Sequence, residues 1–468
     1  MLKVTPKVFV FIIINTLTVL IACLYWNSAI NNLYDSCIIA LVFSIVALIE
    51  IATCSKEIGV IGIVFTIIYI CCHFGRVVLI QIFSYESNYY LYNSFKFFEQ
   101  NEMPTAIMLA CISLPIMLIG LLISSNKHMY RDRFSEVPHV DDYLIEEKKD
   151  AAMRVMSNIV FFISIIPAIL NYIEDFMFKY VGISIFSTHL ASLIGIIGNM
   201  IAIPIIYYVY KGKSRTIDVL SLMYYVTWLF LGGRGKPICM IVTLLILITK
   251  RKSNSYFKTG KLKIAVGSYI VSSAFIALAH VRGKGLEFLT TNFMPSFWEC
   301  LTTKNPLAEL SYELGVAIAP LSAMIAQVPS HISFQYGRTF FLSLLGMIPG
   351  IGMILPESIT KYMEVSVLIS NVYSEAWGAS ILQDFYINLG FFAPILMLFV
   401  GIIVANLSYT AENINRYSIA KVVFSMAFVF PVLWWPRSTL GYITRYFGTV
   451  VVLPWLIYKV IYGRTGKS

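Results

Sequence analysis

Residues 104–124 read PTAIMLACISLPIMLIGLLIS, a run without a single charged side chain. About 20 apolar residues cross the hydrocarbon core of a bilayer as a helix. Lipid offers the backbone no hydrogen-bond partner, so a run this continuous is a membrane helix and not a barrel strand. Outward along the chain, comparable runs fall near 8–26, 37–54, 58–83, 155–173, 183–210, 217–232, 237–250, 264–281, 386–408, 420–436 and 441–458. The expected fold is an all-α polytopic membrane protein with twelve transmembrane helices in one integral membrane domain over 1–468. Lys3 and Lys7 give the opening segment the charge pattern of a signal peptide. Its apolar stretch is too long for one and lacks a small-residue cleavage site, so it reads as an anchor. Composition points the same way: 58% apolar and 13% charged residues, with a mean hydropathy of +0.77, leave too little polar surface for a soluble fold.

The formal net charge of +10 would suggest nucleic acid in a soluble protein. In a membrane protein it is first sorted by side. With a cytoplasmic N-terminus, twenty-three lysines and arginines fall inside and eleven outside, with Arg76 within a span. The positive-inside rule thus places both termini in the cytoplasm, and nucleic acid need not be invoked. The 125–154 loop, with Asp141, Asp142, Glu146 and Glu147 among its acids, reads as a solvated cytoplasmic helix or linker. The 281–385 segment is the exception to a short-loop pattern. It is expected to be a large periplasmic loop with two moderately apolar pieces, 314–328 and 340–355, that are amphipathic, re-entrant or a further hairpin raising the count to fourteen. A long outer segment supplies material for a site that takes a bulky polar ligand.

Arginine makes up five of the eleven outer basic residues but seven of the twenty-three inner ones. The outer five, Arg234, Arg282, Arg338, Arg437 and Arg445, run against the orientation rule and need another reason. Guanidinium is a permanently charged fork that holds phosphate bidentately, so pyrophosphate recognition at the outer surface is an economical one. Snorkelling or pairing with a carboxylate is the competing explanation for any single arginine. Gly232-Gly233-Arg234-Gly235-Lys236-Pro237 forms a tight turn whose proline can open the next helix, so that a helix N-terminus beside Arg234 and Lys236 would bind an anion. His280-Val281-Arg282-Gly283-Lys284-Gly285 repeats the Arg-Gly-Lys chemistry at the same face.

The stretch YYVTWLFLGGRGKPICMIVTLLILIT from Tyr224 to Thr249, the Arg282-Gly283 turn, and WGASILQDFYINLGFFAPI from Trp377 to Ile395 resemble the Wzy-type O-antigen polysaccharide polymerases of Gram-negative bacteria. The resemblance covers roughly residues 180 to 460. It implies an inner-membrane glycosyltransferase that moves a growing glycan from undecaprenyl pyrophosphate onto an incoming lipid-linked repeat unit at the periplasmic face. A flippase and a chain-length regulator are implied as partners. The family's Arg-Gly turn matches Arg234-Gly235, its next arginine looks like Arg282, and its acid before Tyr-x-Asn-x-Gly falls on Asp384, where glutamate would be expected.

The chemistry can also be argued from the residues. Displacing a pyrophosphate from a sugar carbon requires stabilising charge on the leaving group, which surface arginines supply without a metal. The acceptor hydroxyl needs a carboxylate or imidazole to take its proton. Glu299, Glu313, His331, Glu375 and Asp384 are the outer candidates, with Glu375 beside Trp377 and Asp384 preferred. For His331 capping or packing is the commoner role, and for Asp384 a helix N-cap is an equally good reading. Glu309 and Glu313 lie four apart and read as neighbours on a solvated helix face. Arg234 and Arg282 are assigned to the diphosphate, and Lys236, Lys284, His331, Arg338, Arg437 and Arg445 to further substrate contacts. No HExxH, paired CxxC or outer Asp-x-Asp run encodes a metal, and no cofactor is expected. Arg76, three residues after His73, should face the bundle or reach the outer surface. Two other classes share the gross features: a lipid-linked oligosaccharide flippase, whose site would lie at mid-bilayer on repeated or broken helices, and an O-antigen ligase.

Overall fold

The computed structural model describes residues 5–85, 101–132, 141–212, 214–231, 235–251, 261–281, 286–373 and 378–465. Of these, the side chains at 128–132, 141–144, 261–268, 279, 286 and 464–465 are outside the description. The described chain is helical, with no strand. Ten helices are long and apolar enough to cross a membrane: Pro6–Leu24, Leu33–Thr53, Ser55–Gln81, Met103–Lys127, Ile145–Val181, Thr188–Lys211, Pro306–Gln327, Ile381–Glu412, Ile419–Arg437 and Leu440–Gly463. Nine of them coincide with runs read from the sequence. The runs at 217–232, 237–250 and 264–281 also fold as helices, Arg215–Phe230, Gly235–Arg251 and Lys261–Val281.

The polarity of the bundle follows from its ion pairs. Lys7 meets Glu57 at 3.4 Å, Lys211 meets Asp150 at 2.8 Å, Arg251 meets Asp218 at 2.8 Å, and Lys250 pairs with Glu412. Arg251 also donates to the Val209 carbonyl, and Glu412 accepts from the Val60 backbone N–H at 3.1 Å. The helix ends at 57–60, 150, 209–218, 250–251 and 412 therefore share one face. Residues 71–81, 175–199, 224–240, 381–389 and 430–449 lie toward the other ends of the same helices and build the opposite face.

Helix 103–127 sits at the centre: 78% of its apolar window is buried, against 17% for helix 6–24 on the rim. It packs most extensively on 396–412. Two glycines make that approach close. A side chain at Gly120 would run into the Leu398 carbonyl, and one at Gly401 into the Met117 carbonyl and the Leu121 backbone N. Small residues that let helix backbones touch are the means by which helices associate where lipid is as apolar as leucine.

Helix 306–327 qualifies as a span by composition, yet its first half packs on 71–81 and its second on 381–389. Both lie at the opposite face, so it stays on that side of the bundle. The 340–355 piece forms only the short helices Arg338–Leu345 and Ile351–Ile354. The expectation that Glu309 and Glu313 occupy a solvated face is corrected: they are 0% and 4% exposed. Glu309 accepts from the Tyr85 hydroxyl at 2.7 Å, and Glu313 faces Arg437 at 3.7 Å. Gly75 and Gly315 explain the burial, since each brings helix 306–317 against the backbone of the 71–76 turn too closely for a side chain. Arg76 faces the bundle, 3% exposed, with its guanidinium 4.4 Å from the centre of the Tyr312 ring.

Candidate functional site

At the opposite face the ends of six helices line a cavity of about 490 Å³. Its walls come from 168–179, 191–202, 224–228, 235–240 and 430–449. Helix 235–251 begins at this cavity. Gly235 is required there because a Cβ would lie inside the indole of Trp434. Pro237 occupies the first turn, where a missing N–H costs no helical bond. This close approach brings Lys236 to the aromatic wall, its ammonium 4.7 Å from the Tyr446 ring centre and 5.6 Å from that of Tyr442. Lys236 is exposed and, among the described residues, makes no ion pair.

Two further cations line the cavity, Arg445, which pairs with Glu364, and Lys179, which meets Asp175 at 3.5 Å. Tyr442, Arg445 and Tyr446 share one helix face at spacings of three and four, so one short helix, Leu440–Tyr446, presents them together. Asn199 donates to the Tyr446 hydroxyl at 3.1 Å, linking the facing wall. Tyr224 and Trp228 add an edge-to-face aromatic pair at 6.3 Å. Aromatic faces next to polar groups suit sugar rings, and Lys236 at a helix N-terminus, with Arg445 in the same cavity, suits an anion.

Asp384 stands behind this wall. It is 1% exposed, and one carboxylate oxygen accepts the N–H of Leu440, the first residue of the helix carrying Tyr442 and Arg445. Its own helix is capped by Ser380 and Gln383 in a capping box, so the N-cap role weighed for Asp384 belongs to Ser380. Asn388, one turn on, accepts from Gly337 N–H at 2.8 Å and donates to Thr339 Oγ1 at 2.6 Å, fixing the 337–339 turn. The string DFYINLG thus ties its own segment to the 337–339 turn and to the start of helix 440–446. Replacing Asp384 with alanine leaves the Leu440 N–H unsatisfied and should cost about 1–3 kcal/mol, whereas Asp384→Asn keeps an acceptor and should cost less. Thermal unfolding of the purified variants in detergent checks the order; equal losses would deny the latch.

Of the residues singled out in the sequence, Lys236 and Arg445 meet in the cavity. Arg437 is not in its lining; it pairs with Glu313 and donates to the Glu313 carbonyl at 3.2 Å. Arg338 stacks on Tyr362, 4.0 Å from the ring centre, and His331 is exposed in a turn with Ser330 Oγ 3.1 Å away. Arg234, Arg282, Lys284 and Glu375 lie outside the described residues. Asn199, Trp228, Tyr442, Tyr446 and Glu364 were not picked out from sequence. The spacing Tyr442-Arg445-Tyr446 was a signal available there; Asn199 and Glu364 carried none.

These features define a polytopic α-helical membrane protein with an aromatic, cationic cavity at one face. A match to the family O-antigen polysaccharide polymerase Wzy spans residues 8–465, and the chain belongs to that family. It is a multi-pass inner-membrane protein and an O-antigen polymerase, in a family that acts on lipid-linked repeat units. No curated protein and no solved structure shows significant similarity to the chain.

Proposed function

We propose that the 490 Å³ cavity faces the periplasm and holds the diphosphate and first sugars of the donor, a glycan on undecaprenyl pyrophosphate, while that glycan passes to an incoming lipid-linked unit. The observation carrying this reading is Lys236 at the start of its helix, a cation with aromatic faces and, among the described residues, no carboxylate partner, in a cavity it shares with Arg445. The charge bias of the sequence supports this orientation: with both termini cytoplasmic, twenty-three lysines and arginines fall on the inner side and eleven on the outer.

In the reaction the acceptor hydroxyl attacks the anomeric carbon and the bond to the diphosphate oxygen breaks. Lys236 and Arg445 stabilise the negative charge that builds on that oxygen. Arg234, next to Gly235, is assigned with them, and Arg282 and Lys284 supply a second basic turn. Glu375 and Asp384 were the acids favoured for proton transfer; the seating of Asp384 under Leu440 favours positioning of the cavity wall for that residue. Arg338, Arg437 and His331 stand apart from this cavity and are left with contacts to more distant sugars. A flippase delivering units and a chain-length regulator are the partners such a reaction calls for.

Reconstitution in proteoliposomes, with purified lipid-linked repeat units already on the outer side, tests the reading. The expected result is elongation into a ladder of lipid-linked products. Movement of units between leaflets without elongation would replace it with the flippase reading. Transfer only onto added lipid A core would replace it with the ligase.

A further inference from the structure

A second cavity of about 290 Å³ adjoins the first and shares Ser192, Ile196 and Arg445 with it. Its remaining wall is His189 and the segment 346–367. The charged and titratable side chains facing it are His189, Glu357, Lys361, Glu364 and Arg445, and Thr360 adds a hydroxyl. Glu364 sits at the junction of the two cavities because it pairs with Arg445, the residue common to both. None of the mechanism above uses this carboxylate.

The pairing is held in register by backbone contacts. Gly441 lies so close to the Met363 carbonyl, and Gly448 to the Met347 backbone, that no side chain fits at either. Ser343 Oγ donates to the Met363 carbonyl at 3.1 Å, and Thr444 Oγ1 to the Ser343 carbonyl at 2.6 Å. The residue before Glu364 is thus fixed on the helix that carries Arg445. Such a placement delivers a carboxylate to a set point beside the donor diphosphate, as a group that must take a proton during sugar transfer requires.

Resting on the donor reading of the first cavity, we infer that the second cavity binds the terminal sugar of the acceptor and that Glu364 is the base of the transfer. Diphosphate entering the first cavity competes for Arg445 and frees the Glu364 carboxylate. The acceptor hydroxyl then gives its proton to Glu364 as its oxygen bonds to the anomeric carbon, and the electron pair of the broken carbon–oxygen bond leaves with undecaprenyl diphosphate. Product release returns the proton to water and Arg445 to Glu364.

The test compares wild type, Glu364→Gln and Glu364→Asp in the proteoliposome elongation assay across pH, with undecaprenyl diphosphate binding measured on the same preparations. General-base removal costs about 10²–10⁴-fold, so Glu364→Gln should elongate at least about 100-fold more slowly while binding diphosphate at least as tightly as wild type, since Arg445 no longer has a carboxylate to leave. The fall in rate on the acid side should vanish in Glu364→Gln and persist in Glu364→Asp. A Glu364→Gln rate above half of wild type, or an acid-side fall unchanged in that variant, overturns the assignment; a merely structural ion pair would leave that fall in place. If Glu364→Gln does not accumulate, Glu364→Asp decides: a slower rate with a displaced acid-side fall supports the base, and an unchanged profile overturns it. Loss of elongation in Lys236→Ala with normal Glu364→Gln activity sinks only this inference. Normal elongation in Lys236→Ala and Arg445→Ala sinks the donor reading beneath it.

Discussion

Cells carrying Lys236→Glu in place of the wild-type chain are expected to lose long surface glycans while single repeat units still reach the surface lipid. A hydrogen bond to a charged group contributes about 1.5–3 kcal/mol, or roughly 10–150-fold in rate when it is made to the leaving group in the transition state. Reversing the sign adds repulsion against the diphosphate, so the loss should exceed about 100-fold. Lys236 has no carboxylate partner among the described residues, so this substitution breaks no ion pair, and membrane levels of the variant should match wild type. Lys236→Arg keeps the charge and should retain part of the ladder. Chain length on gels, read with immunoblots for the protein, checks both. A normal ladder in Lys236→Glu would remove this lysine from the site.

The second large effect is on folding. Gly401→Leu should prevent the 103–132 and 396–412 helices from closing on each other, because the added atoms meet the Met117 carbonyl and the Leu121 backbone N rather than a side chain that can move aside. Overpacking ordinarily costs about 1–3 kcal/mol when side chains can adjust. Here the obstacle is backbone at the centre of the bundle, so the variant should be absent from the folded membrane fraction. Gly463, which has open space around it, gives the control: Gly463→Ala should accumulate normally. Detergent-extracted, monodisperse Gly401→Leu protein at wild-type level would contradict the packing.

The contrast between these two sites shows what could be read before the structure. Helix 103–127 announces itself because apolar content over 20 residues is a one-dimensional signal, and nine of the ten long apolar helices match runs chosen that way. Helix 306–327 does not, since Glu309 and Glu313 interrupt its hydropathy and are buried through contacts with Tyr85 and Arg437. Lys236 was legible from the Gly-Arg-Gly-Lys-Pro turn, because glycine beside a cation at a helix start has a local physical meaning. Glu364 was not, because its importance comes from Arg445, distant in sequence and brought near by Gly441 and Gly448. Arg437 and Arg445 look alike in sequence and each pairs with a glutamate; what separates them is that the fold puts Arg445 in the cavity lining and Arg437 outside it. The acid before Tyr-x-Asn-x-Gly was found by motif, yet its contact with Leu440 depends on which helix the fold brings over it.

The central claim is that Lys236 and Arg445 hold the donor's diphosphate in the aromatic cavity. Photo-crosslinking of the purified, reconstituted protein with a diazirine-bearing undecaprenyl diphosphate tests it most directly. Label is expected to concentrate in peptides spanning 224–240 and 440–449, and to be lost in Lys236→Glu. Label gathered instead around Arg338 or Arg437, and untouched by Lys236→Glu, would contradict the account.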